Sequence, residues 1–118
     1  MRCVRAAALV AFAISFALPV LADDEFKLEG SAFLDAEACA KGLNSKDCIL
    51  TFSVTGKVAE QLYKGMPGQG QREECTGGLE KSGKNGLHCI MYDTDNTYSC
   101  EFGYAFKKQS FGAGGMDC

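Results

Sequence analysis

Residues 48–66 read "CILTFSVTGKVAEQLYKGM", and the fold is decided where this stretch changes period. Cys48, Leu50, Phe52 and Val54 alternate with Ile49, Thr51 and Ser53. A spacing of two sets those four on one side of a strand and gives it a strongly apolar face. After Thr55 the spacing lengthens. Val58, Ala59, Leu62, Tyr63 and Met66 follow at offsets of one, three or four, so they share one face of a helix. Lys57, Glu60, Gln61 and Lys64 fall elsewhere and face water. Thr55 is placed to cap the helix. Gly65 ends it, and Pro67, which lacks an N–H, keeps it from resuming. A helix of about three turns with such a stripe is read as packing on the chain's own sheet, ahead of binding a partner or a membrane.

Towards the C-terminus the period of two returns. "LHCIMYD" and "TYSCEFGYAFKK" flank "DTDN". If Asp93 and Asn96 close a tight turn, Met91 falls opposite Tyr98, Cys89 opposite Cys100 and Leu87 opposite Phe102. All three pairs then lie on one face of an antiparallel ribbon. The second strand carries Tyr98, Cys100, Phe102, Tyr104 and Phe106 at every other position. Such a row outruns a short helix. Tyr104 and Phe106 are therefore expected beyond it, covered by the glycine-rich tail "KKQSFGAGGMDC" or left partly open. Between helix and ribbon, "PGQGQREE" has the composition of a flexible loop. "ECTGG" reads as a short strand around Cys75, and "LEKSGKNG" as a polar turn.

The expected architecture is α+β, a small single domain: strand, helix, then a three-stranded antiparallel meander. The helix lies over a face lined by Leu50, Phe52, Val54, Leu87, Met91 and Phe102. This domain takes in residues 48–118. Residues 23–47 precede it as an arm, with an edge strand around Phe26 and Leu28. A short helix is expected between Ser31 and Gly42, which are suited to cap and end it. "LNSKD" then reads as a loop.

Residues 1–22, "MRCVRAAALVAFAISFALPVLA", have the layout of a secretory signal peptide. Arg2 and Arg5 make a positive start, an apolar run follows, and small residues at Val20 and Ala22 precede a cleavage point. The apolar run is shorter than the roughly 20 residues that cross a bilayer. Removing the leader takes Arg2 and Arg5 from the 12 basic residues, leaving 10 against 15 acidic ones, a formal net charge of -5. An acidic chain of this kind lacks the basic stripe that nucleic acids require, and anionic membrane surfaces are disfavoured on the same ground.

Cys3 leaves with the leader. Cys39, Cys48, Cys75, Cys89, Cys100 and Cys118 remain, an even number in a small exported chain, which reads as three disulfides. Metal sites use cysteines at short spacing, as in C-x-x-C, and here the closest two are nine positions apart. Six cysteines allow 15 pairings. Pairing neighbours gives Cys39 with Cys48, Cys75 with Cys89 and Cys100 with Cys118; the ribbon register offers Cys89 with Cys100 instead.

Catalytic patterns are weak. His88 is the only histidine and falls on the strand face away from Cys89, where it is read as solvent-facing. A general base needs a nucleophile or a carboxylate beside it, and the sequence nominates neither. The serines lack a G-x-S-x-G elbow, and oxidised cysteines supply no thiolate. "DTDN" resembles the start of a calcium loop, but the sixth and twelfth positions of an EF-hand hold Tyr98 and Tyr104 instead of glycine and glutamate. The acidic runs 23–25 and 73–74 are read as solvated loop charge, and "FGAGG" lacks the Lys-Ser/Thr that completes a phosphate loop. No cofactor and no metal are expected.

The reading is a periplasmic or secreted, non-enzymatic protein-binding module with an unidentified protein partner. An accessory subunit of an envelope complex, or an inhibitor of an extracellular hydrolase, is the alternative. Loops on a rigid frame carry recognition, which nominates Gln69, Gln71 and Arg72 in one loop and Lys81 and Lys84 in the next. Tyr104 and Phe106 are the candidate apolar anchors.

Overall fold

The computed structural model describes residues 25–115, so the expected leader and Cys118 lie outside the described residues. The period change at Thr55 is a junction between strand β2 (Ile49–Thr55) and helix α1 (Gly56–Gly65). Thr55 occupies the N-cap position in an extended conformation, but its side chain makes no capping hydrogen bond. Gly56 opens the helix at φ +74°, a left-handed conformation that favours glycine. The Glu29 carboxylate stands where a β-carbon on Gly56 would project. Met66 follows as the C-cap, its N–H bonded to the Tyr63 carbonyl.

The other strands are β1 (Glu29–Leu34), β3 (Gln71–Arg72), β4 (Leu79–Ser82), β5 (His88–Tyr92), β6 (Thr97–Ala105) and β7 (Ser110–Gly112). They form one sheet in the order β1-β2-β6-β5-β4-β3, with β7 also on β6. Every pairing is antiparallel. β6 is the hub. β2 runs along one of its edges. β5 pairs with its first half and β7 with its last three residues on the other.

The ribbon register agrees with the alternation in the sequence: Met91 faces Tyr98 and Cys89 faces Cys100. The ladder stops at His88 opposite Glu101, so Leu87 meets the core without pairing to Phe102. The buried centre is Val54, Ala59, Tyr63, Cys89 and Cys100, ringed by Val58, Leu62, Met66, Leu87, Met91, Tyr98 and Phe102. Ala59 is fully buried; a small side chain there lets the helix settle close to the sheet. Leu50 and Phe52, expected under the helix, lie outside this cluster. Ten helical residues span only about 15 Å, enough for one half of the face.

Several expectations are corrected. The segment read as a helix between Ser31 and Gly42 begins as β1 and continues in turns, the first bonded at the Asp35 carboxylate by the N–H groups of Glu37 and Ala38. Alanine favours a helix by propensity, but this segment has no apolar stripe to bury, whereas a six-residue ladder on β2 satisfies its backbone. The edge strand is β1 itself, just past Phe26 and Leu28. Cys75 sits in a turn closed by two hydrogen bonds, from the Glu73 N–H to the Gly78 carbonyl and from the Gly77 N–H to the Glu73 carbonyl. The meander strand before β5 is β4, inside the stretch read as a polar turn. There Leu79 opposes Met91 while Glu80 and Ser82 take the other face. The loop 67–74 holds the two-residue β3.

Two disulfides are described, Cys39–Cys48 and Cys89–Cys100, with Cα separations of 4.6 and 4.0 Å. The first matches neighbour pairing. The second overturns the pairings of Cys75 with Cys89 and Cys100 with Cys118. Two cysteines directly opposite in a ladder share a face and lie within bonding reach, so register prevails over order along the chain. Cys75 is disulfide-bonded as well.

On the sheet face opposite the helix, the tail crosses back at residues 113–115. The Gly115 N–H donates to Thr51 Oγ1 at 2.9 Å, and Thr51 is 1% exposed. Gly103 permits this crossing: a β-carbon there would stand 2.8 Å from the Ala113 carbonyl oxygen and 2.6 Å from Ile49.

Candidate functional site

The helix covers the half of its sheet face around Val54, Met91, Tyr98 and the Cys89–Cys100 bridge. On that same face the N-terminal half of β2, the C-terminal half of β6 and all of β7 have no second layer among the described residues. The period of two brings their large side chains together. Phe52 is opposite Phe102, Leu50 opposite Tyr104, and Tyr104 opposite Phe111. The rings form a ladder. Phe52 stacks on Phe102 at 5.0 Å, Phe102 meets Phe111 at 6.1 Å, Phe111 meets Tyr104 at 5.0 Å, and Tyr104 meets Phe106 edge-on at 5.4 Å. Each such contact contributes about 0.5–1.5 kcal/mol beyond burial, so the ladder is ordered without a cover. β1 extends the apolar surface with Ala32 opposite Phe52 and Leu34 opposite Leu50. Phe111 is 63% exposed and Leu34 41%. A contiguous apolar surface of this kind marks an interaction site more often than scattered apolar residues do.

The ladder contains the expected anchors Tyr104 and Phe106, both half-buried. Sequence reasoning missed Phe52, which it assigned to the space under the helix, and Phe111, which it left in the tail; Phe102 packs against the helix-covered core as expected and also meets Phe52 and Phe111. The tail divides: Phe111 joins the ladder, while the glycines after it cross to the opposite face. A signal for Phe111 was present, since "SFG" places one large apolar residue at strand spacing amid small ones.

The polar candidates do not gather with the rings. Arg72 Nη1 donates to the Gly77 carbonyl at 2.6 Å and to Asp93 at 3.0 Å, tying the β3–β4 turn to the β5–β6 turn. Lys81 belongs to β4 rather than to a loop. Its ammonium donates to the carbonyls of Tyr63 and Met66 at 3.2 and 3.1 Å and lies 4.4 Å from the centre of the Tyr63 ring. A cation at the negative end of a helix is favourable, and here it also pins the helix to the sheet. Gln69 and Gln71 line a shallow cleft with Pro67, Glu80 and Ser82. Lys84 is exposed in the β4–β5 turn.

The opposite face holds a carboxylate that sequence reasoning did not supply. Glu80 reaches His88 Nε2 at 2.8 Å, both side chains about one-third exposed. They are eight residues apart in the chain, and the β4–β5 pairing brings them together. The pair can pass a proton, but among the described residues no hydroxyl is hydrogen-bonded to it. Among the described residues no three of His, Cys, Asp and Glu are grouped to hold a metal ion.

Local electrostatics serve the frame. Thr76, through its hydroxyl and then its backbone N–H, holds the Glu73 carboxyl below its ordinary pKa. Lys64, and then Lys57, does the same for Glu60. Burial raises the Tyr63 phenol.

No protein-family model, no curated protein and no solved structure matches this chain at a significant level. Among the described residues no helix is long and apolar enough to cross a membrane. The disulfides fit an extracellular or periplasmic setting, where such bonds persist.

Proposed function

We propose that this is an exported, non-enzymatic binding module that recognises a protein partner through the open aromatic half of its sheet. One observation supports this above the others: the five-ring ladder from Phe52 to Phe106 lies beside the core, and among the described residues no layer lies over it. Rigid aromatic side chains supply contact area at low entropic cost, and interfaces concentrate their energy in such residues. The leader read at residues 1–22 places the mature chain in the periplasm or outside the cell. We assign its third disulfide to Cys75, which is disulfide-bonded, and Cys118, because the two described bridges use the other four cysteines of the mature chain.

The test is capture with immobilised mature protein from envelope extract and culture fluid. Wild type retains a specific protein, and Phe111→Asp, in which a carboxylate replaces an exposed ring of the ladder, loses it while keeping its far-UV spectrum. Equal capture by both, or capture by neither, overturns the reading. The free edge of β1 favours a second reading, an accessory subunit of an envelope complex, because an unpaired strand is a point of assembly.

A further inference from the structure

The sheet has two outer strands, and they are unlike. β3 is two residues long, polar, and tied down through Arg72. β1 is six residues long and exposed throughout, and among the described residues it pairs only with β2. Long edges are usually blunted by lysine, proline or a covering segment. β1 has Glu29 at its start and otherwise "GSAFL". Leu28 is 71% exposed beside it, and Phe33 38%.

We infer that β1 pairs antiparallel with β1 of a second copy, making a two-fold dimer with one continuous sheet. Residues directly opposite in an antiparallel ladder share a face. Keeping the apolar faces of both copies on one side therefore sets the two-fold axis on a residue, not between two. Three residues near the middle of β1 offer such an axis. Centred on Ala32, the ladder opposes Glu29 to Asp35, two like charges. Centred on Gly30, it opposes Glu25 to Asp35, again like charges. Centred on Ser31, it opposes Leu28 to Leu34, Gly30 to Ala32, Glu29 to Phe33 and Lys27 to Asp35. Only this register joins opposite charges and apolar side chains together. It ends at Lys27 and Asp35, because residues 36–41 turn away from the strand. Lys27 has no ion pair among the described residues. Asp35 spends its Oδ1 on the N–H groups of Glu37 and Ala38, and the carboxylate keeps a second oxygen. The dimer also sets the two open aromatic halves side by side, since Ala32 and Leu34 border Phe52 and Leu50 in each copy. This inference is independent of the partner-binding reading, and either can fail alone.

Sedimentation equilibrium of the mature protein in the tens of micromolar is expected to return twice the monomer mass. Leu34→Lys, an exposed change at the edge, is expected to weaken association at least about tenfold with its disulfides intact. Gln61→Lys, on the water-facing side of the helix, leaves association unchanged. A carbodiimide joins an amine to a carboxylate in direct contact. Applied to a mixture of light and heavy-nitrogen protein, it is expected to give a Lys27–Asp35 peptide of mixed isotope. A monomer at all concentrations, a dimer indifferent to Leu34→Lys, or an isotopically pure cross-link overturns the inference.

Discussion

Replacing both Cys89 and Cys100 by alanine separates two contributions that a disulfide makes. The bridge spans 11 positions and Cys39–Cys48 spans 9. Chain entropy alone makes loops of those sizes nearly equal, each about 2.5–3 kcal/mol. The surroundings differ. Cys89 and Cys100 are both fully buried at the centre of the core, against Ala59. Removing two sulfurs there leaves a cavity and adds about 1–2 kcal/mol. Cys48 is buried, but Cys39 lies in a half-exposed turn that can relax. The Cys89/Cys100 double variant should therefore lose about 3.5–5 kcal/mol, and the Cys39/Cys48 double variant about 2.5–3. For a domain of this size each kcal/mol moves Tm by roughly 4–8 °C, so the two variants should differ by several degrees or more. Urea unfolding followed by circular dichroism, at equal protein concentration, measures both. Equal losses, or the larger loss from Cys39/Cys48, would refute the placement of the second bridge at the centre of the core.

Tyr63→Ala removes the ring that meets Tyr98 at 5.4 Å and lies beneath the Lys81 ammonium, and should cost about 3–5 kcal/mol in the same unfolding assay. Gly103→Ala drives a methyl group against Ile49 and the crossing tail, and should cost about 1–3 kcal/mol; a neutral result would place the tail elsewhere. The Glu73 carboxyl is held below its ordinary pKa by Thr76. Its contribution to the turn is then present above the unfolded pKa and disappears as pH falls through the folded value. Protection of the Thr76 amide, taken relative to its intrinsic exchange rate at each pH, should fall on acidification through that range, and Glu73→Gln should leave that protection low and independent of pH.

The parts of the fold legible in the sequence were those where burial imposes a period. The β2–α1 junction has alternation on one side and a helical stripe on the other, and the β5–β6 register follows from which residues must share a face. Positions governed by pairing partners alone were not legible. The stretch from Ser31 to Gly42 looks helical by composition, and only the ladder on β2 makes its first residues a strand. Residues 79–82 look like a turn, and Leu79 alone marks their apolar side. The aromatic surface was half legible. The row from Tyr98 to Phe106 outran any short helix, which pointed to Tyr104 and Phe106. Phe52 and Phe111 join them through pairings between distant segments. The polar candidates failed to gather because composition marks a residue as exposed without showing what it bonds. Arg72 bonds a neighbouring turn along the surface, and Lys81 turns to a helix end.

We propose that the aromatic half of the sheet left open among the described residues is the recognition surface. A photo-crosslinking amino acid placed at Phe111, with a second at Gln61 on the water-facing side of the helix, tests it in the native compartment. We expect an adduct with a distinct second protein from position 111 and none from position 61. The same adducts from both positions, or none from position 111, would contradict it.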